Sequence, residues 1–515
     1  MNYHPQSDTP QATSGSGEHF DVLIVGAGIS GIGAAYHLGK HCPGKSYAIL
    51  EGRENLGGTW DLFKYPGIRS DSDMSTLGYG FKPWTDEKVI ADAPRILDYL
   101  RETIRENGID QNIRYQHRVL RASWSSEESQ WTLHVVRGAN AEPAVLTCRF
   151  LQMCTGYYNY KQGYAPDFAG QSDFEGEWVH PQFWPEDLEL QGKKMVVIGS
   201  GATAMTIVPA VSKDVESVTM LQRSPTYVVA RPNRDRIAKA LFTLLPNGIA
   251  HRINRWKNAV MSVILYRACQ NKPEKMAKRL IDEVRKELPD DFDVETHFTP
   301  TYGPWDQRLC LLPDGDLFEA INAGKAHVVT DHIERITANG IQLKSGEHLE
   351  ADVIVSATGL QMQLLSGIEF TVDGDVRDLK KLISYKGVMF GDMPNMANTM
   401  GYTNASWTLK ADLISGYVCR VLKHMDKTGA TKVMAEVTDP NMPTQPFMDL
   451  TSGYVARTAE LLPKQGTEPP WRLHQNYLLD YRILRFGRLE DGVLQFTKPQ
   501  TAVAAKPEAE LAGVA

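Results

Sequence analysis

Two glycine-rich turns, and the charged residues that follow them, are where this sequence could do chemistry. The first is Gly26-x-Gly28-x-x-Gly31, reached directly from the apolar run Phe20–Val25 and followed by Ile32–Leu38 at helical spacing. In such a turn the first glycine permits the tight reversal, the second lets a pyrophosphate approach the backbone, and the third lets helix and strand pack closely. The helix N-terminus then offers unpaired N–H groups and a positive dipole end to the phosphates. A second run, Tyr47–Leu50, ends at Glu51, where an acid can hold ribose hydroxyls. The pattern repeats downstream: Lys194–Ile198 enters Gly199-x-Gly201-x-x-Ala204, and the next run, Ser217–Gln222, ends at Arg223-Ser224. An acid at that strand end would repel a 2′-phosphate, whereas the Arg223 guanidinium offers it a charge-assisted contact. The second turn therefore reads as a site for NADP, with Ser224 beside it.

Runs that feed glycine turns and then helices are the pieces of a doubly wound α/β fold. Cys154-Thr155-Gly156 and Ala357-Thr358-Gly359 both look like turns that end a sheet strand at a nucleotide-domain border. The chain is expected to leave one domain near residue 156 and return near 360. The fold class is thus α/β, with two Rossmann-like dinucleotide-binding domains, the second nested in the first. The expected boundaries are 19–160 with 361–500 for the first domain, and 161–235 with 321–360 for the second. Residues 236–320 read as a helical insertion, in which the apolar run 259–266 is expected to be buried; weak contact with a lipid surface is the alternative. Gly39–Ser46 fits the P-loop pattern, but it follows a helix and precedes a strand, the reverse of what a P-loop requires.

Between the two turns lies Phe174-x-Gly176-x-x-x-His180-x-x-x-Trp184-Pro185. This spacing resembles the fingerprint of the type I Baeyer–Villiger monooxygenases, flavoenzymes that insert one oxygen atom beside a ketone. Relatives that oxidise amines and sulfides usually have Tyr or Phe where this chain has Trp184. Arg69–Asp73, Trp305–Cys310 and Gly401–Lys410 look most like the ethionamide-activating branch of that family. The resemblance implies FAD in the first turn and NADPH in the second, and conversion of ketones to esters or lactones with O2 through a C4a-peroxyflavin, with some sulfoxidation. It further implies that Gly58, Thr59, Trp60 and Asp71 lie near the flavin, that Arg308 sits over it as the catalytic cation, and that Asp71 orients Arg308. Many members carry Lys just before that arginine, where it helps hold the 2′-phosphate. Here the residue is Gln307, so Arg223 is left as the main support for NADP. Phe174, Gly176, His180, Trp184 and Pro185 are expected to be hinge and linker residues. Two rivals share most of these motifs: a flavin monooxygenase acting on N or S atoms, and a non-catalytic flavoprotein.

Composition narrows the field further. At 515 residues the chain is long enough for two or three domains, and its net charge of −7 gives no basic footprint for nucleic acid. The six cysteines show no C-x-x-C and no metal-ligand spacing, so no metal is expected and a disulfide reductase is disfavoured. No run is long and apolar enough to span a membrane. Residues 1–18 read as a disordered tail with no signal-peptide pattern, 501–515 as a flexible C-terminal tail, and the chain as a cytoplasmic enzyme.

Overall fold

The computed structural model describes residues 17–448 and 452–499. Of the expected tails, 1–16 and 501–515 lie outside the described residues, and Glu18 already belongs to the first strand. That strand, β1 (Glu18–Val25), has parallel neighbours on both sides and is buried over Val22–Val25. Its apolar run is what such a position demands. Val22 and Ile24 face a core built with α1 (Ile29–His41) and the helix Trp407–Thr428, while Leu23 and Val25 face a second core around Trp131 and Phe370. On one side β1 pairs with β2 (Tyr47–Leu50), and on the other with Glu142–Met153, so that Val25 lies opposite both Leu50 and Met153. The sheet continues through the antiparallel strands Gln130–Arg137 and His117–Ser125 to Glu369–Val372.

The second sheet is parallel throughout. Its order is Ala326–Thr330, then Ser217–Gln222, then β3 (Lys194–Ile198), then Val353–Ser356, and at the edge Glu177–Val179. From β3 the chain enters α2 (Ala202–Val211) and returns in β4 (Ser217–Gln222), the same unit as β1–α1–β2. Strands of the first sheet thus come from either side of those of the second. Tyr158–Gly163 and Leu360–Met362 join the two sheets and pair antiparallel, Gly163 opposite Leu360 and Tyr158 opposite Met362. The outgoing and returning chain run side by side.

Two expectations for residues 236–320 need correction. The helices α3 (Arg236–Leu244), α4 (Asn247–Asn271), Pro273–Glu287 and Val294–Phe298 are there, but Cys310–Pro313 is a strand that pairs in parallel with Val228–Arg231. The apolar run 259–266 is not buried as a whole: Met261 and Ile264 are more than half exposed. The reason is that α4 spends its inner face on hydrogen bonds. Asn254 Nδ2 donates to Ser75 Oγ at 2.7 Å, Asn258 Nδ2 donates to Asp73 Oδ1 at 2.8 Å, and His251 Nε2 lies 3.0 Å from the Tyr79 carbonyl. Arg255 donates to the carbonyls of Ser75, Thr76 and Gly78 and to Asp412. With these polar side chains turned inward, part of the apolar stripe of α4 is left facing outside, beside the exposed Arg252 and Arg267.

Candidate active site

The two nucleotide turns differ from ordinary glycine turns at their middle positions. Gly26 has φ +105°, and a Cβ there would stand 2.5 Å from the Cys154 carbonyl oxygen; one on Gly31 would stand 1.9 Å from that of Gly26. Gly199 (φ +135°) likewise abuts Ala357. Packing alone explains these three. A Cβ on Gly28, by contrast, would meet only Gly58, with its Cα at 3.7 Å, and one on Gly201 would meet nothing within 4 Å. Neither has a positive φ. The chain itself leaves both positions room for a Cβ, and the cradle fits a ligand whose phosphates approach the backbone. Neither α1 nor α2 carries an acid in its first turn, so neither positive helix end is neutralised.

Above the first turn opens a cleft of about 970 Å³. Glu51 lies buried in its lining, at the end of β2, and accepts hydrogen bonds from the Ala27 N–H at 2.8 Å and the Arg53 N–H at 3.0 Å. Burial raises its pKa, against the pull of those two amides and of the Arg53 charge. Gly58 and Thr59 start the short helix Thr59–Leu62, which carries Trp60 along the wall. Tyr160 stands half-buried against this loop, its hydroxyl pushed up to about 12 by desolvation.

The far wall brings Asp71 and Arg308 together. The Arg308 Nη2 lies 2.7 Å from Asp71 Oδ2, and both side chains are about one-third exposed in the cleft. The loop carrying Asp71 is fixed by backbone bonds from Ser70 N to Ala91 O and from Ala93 N to Ile68 O, beside the helix Ala93–Glu106. The same loop crosses to the second unit. Gly67 (φ +75°) packs on Thr206 and Ala210 of α2, and Arg69 pairs with Asp316 at the start of the helix Asp316–Asn322. The cleft is therefore walled by both nucleotide units.

The remaining residues singled out in the sequence lie elsewhere. The second turn reaches the cleft only through Ala202, Thr203, Met205 and Thr206; Gly199, Gly201, Ala204, Arg223, Ser224 and Gln307 are outside its lining. Arg223 and Ser224 are exposed at the end of β4, where the Ser224 carbonyl accepts from Ser200 Oγ at 3.0 Å. The fingerprint does not touch the cleft either. Gly176 presses on the Asp352 carbonyl, which leaves no room for a Cβ, and Glu177–Val179 is the edge strand of the second sheet. Trp184 packs on that sheet's core, and Pro185 follows it. Phe174 and Trp178 meet ring edge to face, 6.4 Å apart. His180 packs on Gly163, and its Nδ1 accepts from the Gln182 N–H at 3.2 Å. Burial lowers the His180 pKa, opposed by the carbonyls of Tyr164 and Gly359, so the ring stands where the two connecting strands pass.

Sequence reasoning missed Tyr160 and the Arg69–Asp316 pair. Tyr160 follows the Thr155-Gly156 border turn closely enough to have been a candidate; nothing local pairs Arg69 with Asp316.

A family profile described as flavin-binding monooxygenase-like matches residues 85–448, and one described as an NAD(P)-binding Rossmann-like domain matches residues 24–89. The chain belongs to the flavin-binding monooxygenase-like family. Within that family, the FAD-containing monooxygenase EthA of Mycobacterium tuberculosis is 54% identical over 482 residues, covering 93% of this chain and 98% of that protein. The probable FAD-binding monooxygenase AlmA of Acinetobacter baylyi is 48% identical over 496 residues, covering 96% and 99%. Among solved structures, an oxidized steroid monooxygenase bound to NADP superposes with TM-score 0.70 at 20% identity, over 93% of this chain and 100% of that one. An open form of cyclohexanone monooxygenase gives TM-score 0.71 at 19% identity, over 93% and 100%. These likenesses establish a flavin-binding monooxygenase-like chain with the fold that the two turns implied.

Proposed function

We propose that this chain is an FAD- and NADPH-dependent monooxygenase of the Baeyer–Villiger type, which converts ketones to esters or lactones with O2 and has some sulfoxidation activity. The observation that carries the reading is the Asp71–Arg308 pair, set in the wall of a cleft shared by both nucleotide units. On this reading Gly26, Gly28 and Gly31 with the start of α1 hold the FAD pyrophosphate, Glu51 holds its ribose, and Gly58, Thr59 and Trp60 flank the ring system. Gly199, Gly201, Ala204 and the start of α2 hold NADPH, with Arg223, Ser224 and Gln307 toward its 2′-phosphate. FAD, when bound, would supply the oxygen-activating chemistry and NADPH the reducing equivalents.

The chain's own residues supply field and orientation. A guanidinium stays charged at any working pH, so Arg308 offers N–H donors to developing negative charge without releasing a proton to it. Asp71 holds one Nη and so fixes the plane of the fork. The walls contributed by both units limit water at the reacting centre. His180, Phe174, Gly176, Trp184 and Pro185 act on this reading as the seam about which the two units shift.

The test is to assay purified, FAD-loaded protein with NADPH under labelled O2 and a panel of linear and cyclic ketones. Ester or lactone carrying one labelled oxygen, formed in step with NADPH consumption, is the expected result. Oxidation confined to amine or sulfide substrates would overturn the ketone reading, and NADPH consumption that no substrate stimulates would overturn the catalytic one.

A further inference from the structure

The hairpin of α3 and α4 carries a surface that the proposed reaction does not use. None of its side chains lines the cleft. α4 points His251, Asn254, Arg255 and Asn258 inward, onto the short helix Met74–Leu77 and its flanking residues Asp73, Gly78 and Tyr79. Its outward stripe is Ile249, Ile253, Met261 and Ile264, and α3 adds Ile237 and Leu244, with exposures from 44% to 79%. A helix on the surface of a water-facing protein ordinarily does the reverse. Large exposed apolar side chains gathered on one hairpin mark a surface that something covers.

The charge around the stripe says what covers it. Residues 231–272 hold nine Lys or Arg and a single acid, Asp235, in a chain whose net charge is −7. Asp235 is itself engaged within the hairpin, by Lys257. From outside the hairpin, Glu87 pairs with its outer cations, lying near Arg234 and Lys239. Arg236, Arg252 and Arg267 are exposed beside the apolar stripe. An apolar stripe rimmed by cations is the form of a helix that lies in the plane of an anionic bilayer, with side chains in the acyl boundary and cations among the headgroups. A second copy of this chain fits the stripe poorly, because it would bring two basic surfaces face to face.

We propose that the α3–α4 hairpin docks this chain on the surface of an anionic lipid bilayer, lying on it and not crossing it. No helix among the described residues is long and apolar enough to cross.

The experiment is vesicle flotation of the full-length, flavin-loaded protein. One vesicle population is phosphatidylcholine alone, and the other is phosphatidylcholine mixed with phosphatidylglycerol. Wild type is expected to float with the mixed vesicles, much less with the zwitterionic ones, and progressively less as salt rises. The double variant Ile253→Asp/Ile264→Asp should lower the bound fraction about tenfold, and so should Lys239→Glu/Arg252→Glu, which leaves the apolar stripe intact. Both variants should keep the wild-type melting temperature and flavin content, since all four side chains are exposed. Wild type that binds neither population, or both equally, would overturn the proposal. So would an Ile253→Asp/Ile264→Asp variant that floats like wild type. A wild-type dimer in light scattering that this variant turns into a monomer would assign the stripe to a second copy instead.

Discussion

Asp71 and Arg308 come from segments far apart in the chain and meet with 2.7 Å between Oδ2 and Nη2. The acid sits on a loop anchored to the first unit, and the cation just ahead of the strand Cys310–Pro313. On the proposed reading, Arg308→Ala keeps the fold and the flavin but loses ketone oxygenation by roughly 3–4 kcal/mol of barrier, the usual loss of a preorganised donor. Lys at 308 rescues poorly, because an ammonium lacks the planar fork. Asp71→Asn loses less alone, and in the double variant adds little to Arg308→Ala, since the two side chains act as one unit. Ester formed per NADPH consumed is the readout. Full, coupled turnover by Arg308→Ala would remove the cation from the mechanism.

The two glycines of the first turn should respond differently to substitution. The Cβ of Gly28→Val meets no protein atom closer than 3.7 Å and the residue keeps an ordinary φ, so the chain should fold and melt near wild type but purify without flavin. Gly31→Val drives a Cβ onto the Gly26 carbonyl and should lower the melting temperature or prevent soluble expression. Flavin absorbance and a melt on each variant separate the cases. A yellow Gly28→Val protein would mean that the first turn does not cradle the cofactor.

Arg223 lies exposed at the end of β4, outside the main cleft. If it takes the 2′-phosphate, Arg223→Ala costs about 1.5–3 kcal/mol of NADPH binding, or ten- to a hundredfold in KM, with a smaller effect for NADH. Initial rates with the two nucleotides decide it, and wild type that uses both equally would leave Arg223 without this role.

His251 makes stability depend on pH. Burial and the neighbouring Arg255 charge lower its pKa to about 4, from an ordinary value of 6.5. Between those values the unfolded chain binds a proton that the folded chain refuses, so stability falls as pH drops from 6.5 toward 4. The loss is on the order of 3 kcal/mol at most, at 1.36 kcal/mol per pH unit. His251→Gln removes that contribution, and its melting temperature should fall less steeply over the same range. An unchanged slope would mean that His251 is not neutral in the folded protein.

Much of this architecture was legible in local sequence. The run Phe20–Val25 reads as a strand buried on both faces, and β1 alternates its side chains between two cores. The helix Ala93–Glu106 carries its apolar spacing and its Asp92 cap in the local sequence. What failed was the outward stripe of α4. A run of apolar residues reads as buried unless one knows that Asn254, Arg255 and Asn258 have partners among residues 73–78. Arg69–Asp316 was illegible for the same reason: the pair exists only once two units are packed. The fingerprint is the opposite case, a motif plain in sequence whose side chains lie off the cleft, at the seam.

The pairing of Gly163 with Leu360 also bears on the order in which the chain folds. To complete the first sheet, Glu369–Val372 must find His117–Ser125 across roughly 240 intervening residues, and closing so long a loop in a disordered chain is slow. Once the intervening stretch has folded on itself, its two ends emerge as neighbours, and the loop left to close shrinks to roughly 50 residues. The inserted unit thereby acts as an internal chaperone for the sheet that surrounds it. During synthesis, the first sheet then waits, with its Glu369–Val372 position empty, until the parallel sheet is made.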